Sequence, residues 1–217
     1  MDGGAYTDYI SIGMKHSDAS VAVRGRPREF NVDDALAAAL RVFWQRGYEG
    51  ASLTELTEAM GITRPSLYAA FGNKEALFCK ALSLYEREKL AYVGAALEAP
   101  TARGVAERLL RGSLAMQSST CDPKGCLGVI SSVACGAEAE SIKAQVVARR
   151  ASSDALLVAR LQRALDEGDL PAGTDPAALA RYILAVMQGM AVQSGAGVSC
   201  TDLQALVETC LQMWPSA

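Results

Sequence analysis

Six side chains between Ser52 and Lys74 carry groups that suit a polyanion: Ser52, Thr63, Arg64, Ser66, Tyr68 and Lys74. Arg64 can fork onto a guanine edge, worth ~1–3 kcal/mol of base discrimination when bidentate. Hydroxyl and phenol donors suit phosphate oxygens. Lys74 follows Asn73, a helix-capping residue, and both a helix N-terminus and a lysine favour an anion. The chemistry indicated is recognition of a nucleic acid duplex.

These side chains need two short helices to present them. Ser52 and Glu55 make a capping-box pattern, and Leu53, Leu56 and Met60 give a one-sided apolar stripe of about two turns. Gly61 ends that helix, because glycine takes the left-handed conformation past a terminus without steric cost. Thr63 caps the next helix, with Pro65 in its first turn, where a missing N–H is harmless. Leu67 and Phe71 then face inward and leave Arg64, Ser66 and Tyr68 on other faces. Upstream, Asn31 or Asp33 starts a helix whose inward face is Leu36, Ala39, Leu40 and Phe43, up to Gly47. Trp44 and Tyr48 are expected to pack beside it. Downstream, one helix is expected from Lys74 to about Leu97. Arg24 and Arg26 lie in R-G-R-P, which resembles the core of an AT-hook able to follow a minor groove; read alone, it is equally an ordinary basic linker.

Composition limits the alternatives. With 217 residues and 50% hydrophobic content the chain can build a sizeable core. Plentiful alanine and leucine, without strand-like alternation, indicate an all-α fold. No apolar run reaches the ~20 residues of a membrane span and no signal pattern begins the chain, so a cytoplasmic protein is expected. The six cysteines form no C-x-x-C pair, which favours reduced thiols. The single histidine, His16, falls in a segment expected to be flexible, so no Ser-His-Asp or Cys-His constellation forms in the folded part. We therefore expect no catalytic residues, metal or cofactor. Net charge is −3, yet residues 22–80 hold eight basic against seven acidic groups, with six of the basic ones where a phosphate could meet them.

The run GYEGASLTELTEAMGITRPSLYAAFGNKEALF resembles the DNA-binding region of the TetR/AcrR family of bacterial transcriptional regulators. Gly47, Tyr48, Ser52, Gly61, Leu67, Tyr68, Phe71, Lys74, Glu75, Leu77 and Phe78 match the family pattern. Ala51 departs from it, as does Leu56-Thr57, where Ile-Ala is common. The resemblance implies an operator-binding regulator, usually a repressor, controlled by a small, largely apolar inducer. The residues taken alone also admit an all-α ligand-binding or interaction protein that has lost DNA recognition.

The implied organisation is a flexible tail (1–23), a helix-turn-helix domain with a basic arm (24–73), and a ligand-binding and dimerisation domain (74–217). Helices are expected over about 101–118, 127–135 and 138–167, and another opens at Asp175-Pro176. The last is expected from Thr201, with Gln204 completing a capping box. The helix after Pro176 is apolar on two sides and so needs two partners. In the family the final two helices build a four-helix dimer interface, which here implicates Leu184, Met187, Ala191, Val207, Cys210 and Trp214. A homodimer is also needed mechanically, since one short helix reads too few bases and a two-fold pair reads a palindrome. Tyr92, Met116 and Gln117 are candidates for the inducer pocket, and equally ordinary core or surface residues. Cys126, in G-C-L beside Lys124 at a helix start, is read as a redox-sensing thiol or as a small buried hydrophobe.

Overall fold

The computed structural model describes residues 30–133, 136 and 139–215, and every regular element among them is a helix. In chain order these are α1 (Val32–Gly50), α2 (Leu53–Met60), α3 (Arg64–Phe71), α4 (Lys74–Lys89) and α5 (Ala91–Leu97), followed by α6 (Ala102–Ser118), α7 (Leu127–Val133), α8 (Glu140–Asp166), α9 (Pro176–Gly195) and α10 (Cys200–Gln212). Arg24, Arg26, the expected tail 1–23, Cys135 and the expected helix start at position 138 lie outside the described residues.

The first four helices form where the local signals put them. Asn31 accepts from the backbone N–H groups of Asp33 and Asp34, which starts α1. Ser52 and Glu55 exchange reciprocal bonds of 3.1 Å, which starts α2. Gly61, at φ 65°, closes α2, with its N–H on Glu58 O and that of Ile62 on Thr57 O. Thr63 caps α3 and Asn73 caps α4, the latter at 2.7 Å to Ala76 N.

Leu56, Leu67, Phe71 and Phe78 then bury with Phe43 and Trp44 in one apolar cluster. That cluster also takes in Leu127, Ile142 and Val146 from α7 and α8, so the small N-terminal bundle is packed directly onto the helices that follow it. A second cluster joins α5, α6, α8 and α9 through Leu109, Leu157, Leu161 and Ile183. The third ties α10 to α6 and α9 through Leu110, Met190, Leu203 and Val207.

Three sequence expectations need correction. The helix expected over 74–97 breaks at Leu90 (φ −103°, ψ 9°) into α4 and α5. Val93 and Gly94 are weak helix formers, and packing of α5 against α6 sets its direction. The last helix starts at Cys200 under Ser199, whose hydroxyl accepts from Asp202 N at 3.1 Å, so the Thr201–Gln204 box does not form. The third concerns the dimer set. Ala191, Val207, Cys210 and Trp214 are 3%, 0%, 4% and 8% exposed, buried in this chain's own core. The stripe on α10 faces α6 as well as α9, leaving those four side chains no surface to offer a partner. Leu184 and Met187 are only half-buried, and both line an internal cavity.

Candidate nucleic-acid interface and effector cavity

Leu67 and Phe71 pin one side of α3 into the core, while Arg64, in its first turn, and Pro65, Tyr68 and Ala69 are exposed to solvent. Tyr68 is 47% exposed. The Arg64 guanidinium lies across the first turn of α2 and donates to Thr54 Oγ1 at 2.8 Å. The Thr63 and Ser66 hydroxyls are 3.0 Å apart at the start of α3. Ser52 is exposed, and its oxygen accepts from Glu55 N in the capping box. Ser52 also holds the Glu55 carboxyl below the usual carboxylate range through its backbone N–H and hydroxyl, with Arg46 adding a smaller Coulombic pull.

Lys74 stands differently from the free cation that its sequence position suggests. It is half-buried with its ammonium 4.7 Å from the Tyr48 ring centroid, and burial lowers its pKa against the opposing pull of Glu49. Ser52, Thr63, Arg64 and Ser66 therefore gather where the N-termini of α2 and α3 meet. Tyr68 follows one turn on and Lys74 sits behind. Thr54 joins the set unforeseen, since nothing local marks it as the partner of a residue ten positions away.

A cavity of about 510 Å³ lies between α4, α5, α6, α8 and α9, a size suited to a small organic ligand. Leu109, Leu157, Leu184 and Met187 supply apolar wall. Its polar side pairs Glu86 with Arg149 at 2.7 Å and sets Arg150 near Asp154, whose pKa burial raises while Arg150 opposes the shift. A larger, open groove of about 740 Å³ runs beside α5 and α6, past Arg108 and Arg111, and shares Tyr92 with the cavity.

Tyr92, Met116 and Cys126 line the cavity, and Gln117 does not. Gln117 is 1% exposed and clasps Gly125 instead, its Oε1 accepting from Gly125 N at 3.0 Å and its Nε2 donating to Gly125 O at 3.4 Å. Trp44 Nε1 donates to the same oxygen at 3.2 Å, so the backbone just before Cys126 is fixed from α1 and α6. Tyr85 is fully buried and directs its O–H to Cys126 Sγ at 3.4 Å and Met116 Sδ at 3.7 Å. Burial pushes the pKa of both Tyr85 and Tyr92 far above the ordinary phenol value, which keeps both protonated as donors. The Tyr92 ring occupies space that a Cβ on Gly112 would overlap.

Residues 35–80 match the family described as bacterial regulatory proteins, tetR family, and residues 107–210 match the tetracyclin repressor-like C-terminal domain. The HTH-type transcriptional repressor ComR of Escherichia coli (strain K12) is 31% identical over 194 residues, spanning 88% of this chain and 92% of ComR. This chain belongs to the TetR family.

As a TetR-family member it is a DNA-binding transcriptional regulator and not an enzyme. The repressor BdcR of the same E. coli strain is 48% identical over 63 residues, 29% of this chain and 32% of BdcR. Among solved TetR-family structures, a cysteine mutant of the regulator CifR complexed with 26-bp double-strand operator DNA is 44% identical. It superposes with a TM-score of 0.82, covering 88% of this chain and 100% of that one. Among the described residues no helix is long and apolar enough to cross a membrane.

Proposed function

We propose that this TetR-family chain is a repressor that binds a palindromic operator as a homodimer and is released by a small, largely apolar inducer. The observation that carries the reading is the outward face of α3, where Arg64 and Tyr68 are exposed while Leu67 and Phe71 hold the helix rigidly beneath. ComR is named as a repressor, and the CifR relative is seen on operator DNA. In this reading Arg64 meets a base edge, and Ser52, Thr63, Ser66, Tyr68 and Lys74 meet phosphates. Arg24 and Arg26 follow the adjoining minor groove. The reading head is 24–73, the ligand-binding and dimerisation domain is 74–217, and the protein acts in the cytoplasm, where its operator lies.

The second copy packs against a face of α9 and α10 that this chain leaves open. Tyr182, Val192 and Met213 are 41%, 59% and 72% exposed there, with Ala185 between the first two. The inducer occupies the 510 Å³ cavity. Leu82, Tyr85, Glu86 and Leu90 on its wall belong to α4, the helix that continues directly from the reading head. A ligand that prefers one setting of α4 shifts the spacing of the two heads by its difference in affinity, typically ~1–3 kcal/mol. Cys126 serves as the sensing thiol on that wall.

The test is an anisotropy titration of the full chain against its own upstream region at several salt concentrations. Selective binding is expected, with Arg64→Ala weakening it about tenfold or more while affinity for random duplex falls less. Equal affinity of the unaltered chain for operator and random DNA would refute the reading.

A further inference from the structure

We propose that Cys126 and Tyr85 together form a covalent acceptor site for small α,β-unsaturated carbonyl compounds, the thiol adding to the β-carbon while the phenol holds the carbonyl oxygen. The proposal rests on the cavity being the inducer site argued above and names the class of inducer.

Four observations converge on it. Cys126 lines the cavity, and the clasp of Gln117 and Trp44 on Gly125 fixes its backbone. Tyr85 lines the same cavity with no exposed surface; its oxygen accepts from the Leu127 backbone N–H, and among the described residues its O–H is directed at two sulfur atoms, at 3.4 and 3.7 Å. Sulfur is a weak acceptor, so a buried phenol placed this way is short of an oxygen partner, which a ligand carbonyl supplies. The charged groups on the polar side balance in sign, Glu86 with Arg149 and Arg150 with Asp154, which favours a neutral guest. Leu90, Leu109, Leu157, Leu184 and Met187 supply apolar wall, interrupted by the uncharged Ser113, Ser153 and Gln188.

The position of the phenol beside the sulfur also selects the reaction. Opening an epoxide or displacing a halide requires the departing atom on the far side of carbon from the sulfur, away from a hydroxyl bonded to that sulfur. Conjugate addition has no such requirement. The S–C bond forms at the β-carbon, the π electrons of the C=C move toward the carbonyl to give an enolate, and the proton given up by the thiol ends on the α-carbon. No oxidant and no leaving group enter. Tyr85 keeps its proton and stabilises the charge that develops on oxygen.

The experiment treats the full chain with cyclohex-2-enone and follows peptide mass and operator anisotropy separately. One adduct is expected at Cys126, formed faster than at the exposed Cys121 and Cys200, with loss of operator binding in step. Cys126→Ser is expected to abolish that release, and the saturated analogue cyclohexanone to leave no adduct. Tyr85→Phe keeps the ring and is expected to slow addition about tenfold with unchanged binding to DNA before treatment. Adducts confined to Cys121 and Cys200, or an unchanged rate in Tyr85→Phe, would overturn the proposal. So would release by hydrogen peroxide through Cys126 without release by the enone. Because addition is read by mass without DNA, failure of operator binding alone counts against the repressor reading and not against this site.

Discussion

Tyr85 is held by Trp44, whose ring meets it edge-on at 4.8 Å, and by the two sulfurs that receive its proton. Burial raises its pKa, and that of Tyr92, above the ordinary 10.0. A raised folded pKa contributes stability in full below the unfolded value and loses it as pH rises beyond. Alkaline titration is therefore expected to show helicity lost together with ionisation of these two phenols, at a pH above 10. Tyr85→Phe should move that transition to higher pH; separate ionisation of both phenols near pH 10 in a folded chain would contradict the assignment. At this scale the sequence exposed some roles and hid others. Arg64 and Tyr68 are legible as outward-facing because Leu67 and Phe71 mark the inward side of the same short helix. Tyr85 is not legible, since Cys126 lies 41 residues away, and the choice between pocket and core for Gln117 was settled only by its clasp on Gly125, a turn that no local pattern specifies.

Among the elements, the break at Leu90 matters most, because it lets α5 turn aside from α4 and lay Tyr92 against α6. Gly112 is the complementary feature on α6: any Cβ there would overlap the Tyr92 ring. Gly112→Ala is accordingly expected to destabilise the fold by about 1–3 kcal/mol despite alanine's better helix propensity, because overpacking outweighs the backbone gain. Urea denaturation measures this, and a stabilised variant would show that the ring has room to move. The same substitution should displace Tyr92 from the cavity wall and so lower inducer affinity, read by titration. Helix starts were legible where one capping residue dominates, as at Ser52 and Asp175, whereas the choice between Asn31 and Asp33 fell to Asn31 only in the fold. The start of α10 was read at Thr201, and Ser199, two residues earlier, caps it instead.

For the whole molecule, the decisive distinction is between apolar stripes that close this chain and those left for a second one. Tyr182→Glu with Val192→Glu is expected to yield a folded monomer with about tenfold or greater loss of operator affinity, seen by sedimentation and anisotropy. Cys210→Asp should instead cost several kcal/mol and unfold the large domain, since it places an unpaired charge at a 4% exposed site. If Cys210→Asp gave a folded monomer and the double variant stayed dimeric, the interface assignment would be reversed.

Amino-acid order by itself determined the caps at Ser52, Thr63 and Asn73, the glycine turn at Gly61, the two reading helices and the all-helical class. Those features rest on hydrogen bonds and side-chain periodicities spanning four residues or fewer, which a sequence displays directly. Only the tertiary structure decided which side of α9 and α10 is core, where α4 ends, and that Tyr85, Met116 and Cys126 meet in one cavity. Each of these depends on contacts between distant segments, whose free energies compare alternative packings of equally apolar faces, and periodicity alone cannot rank such packings.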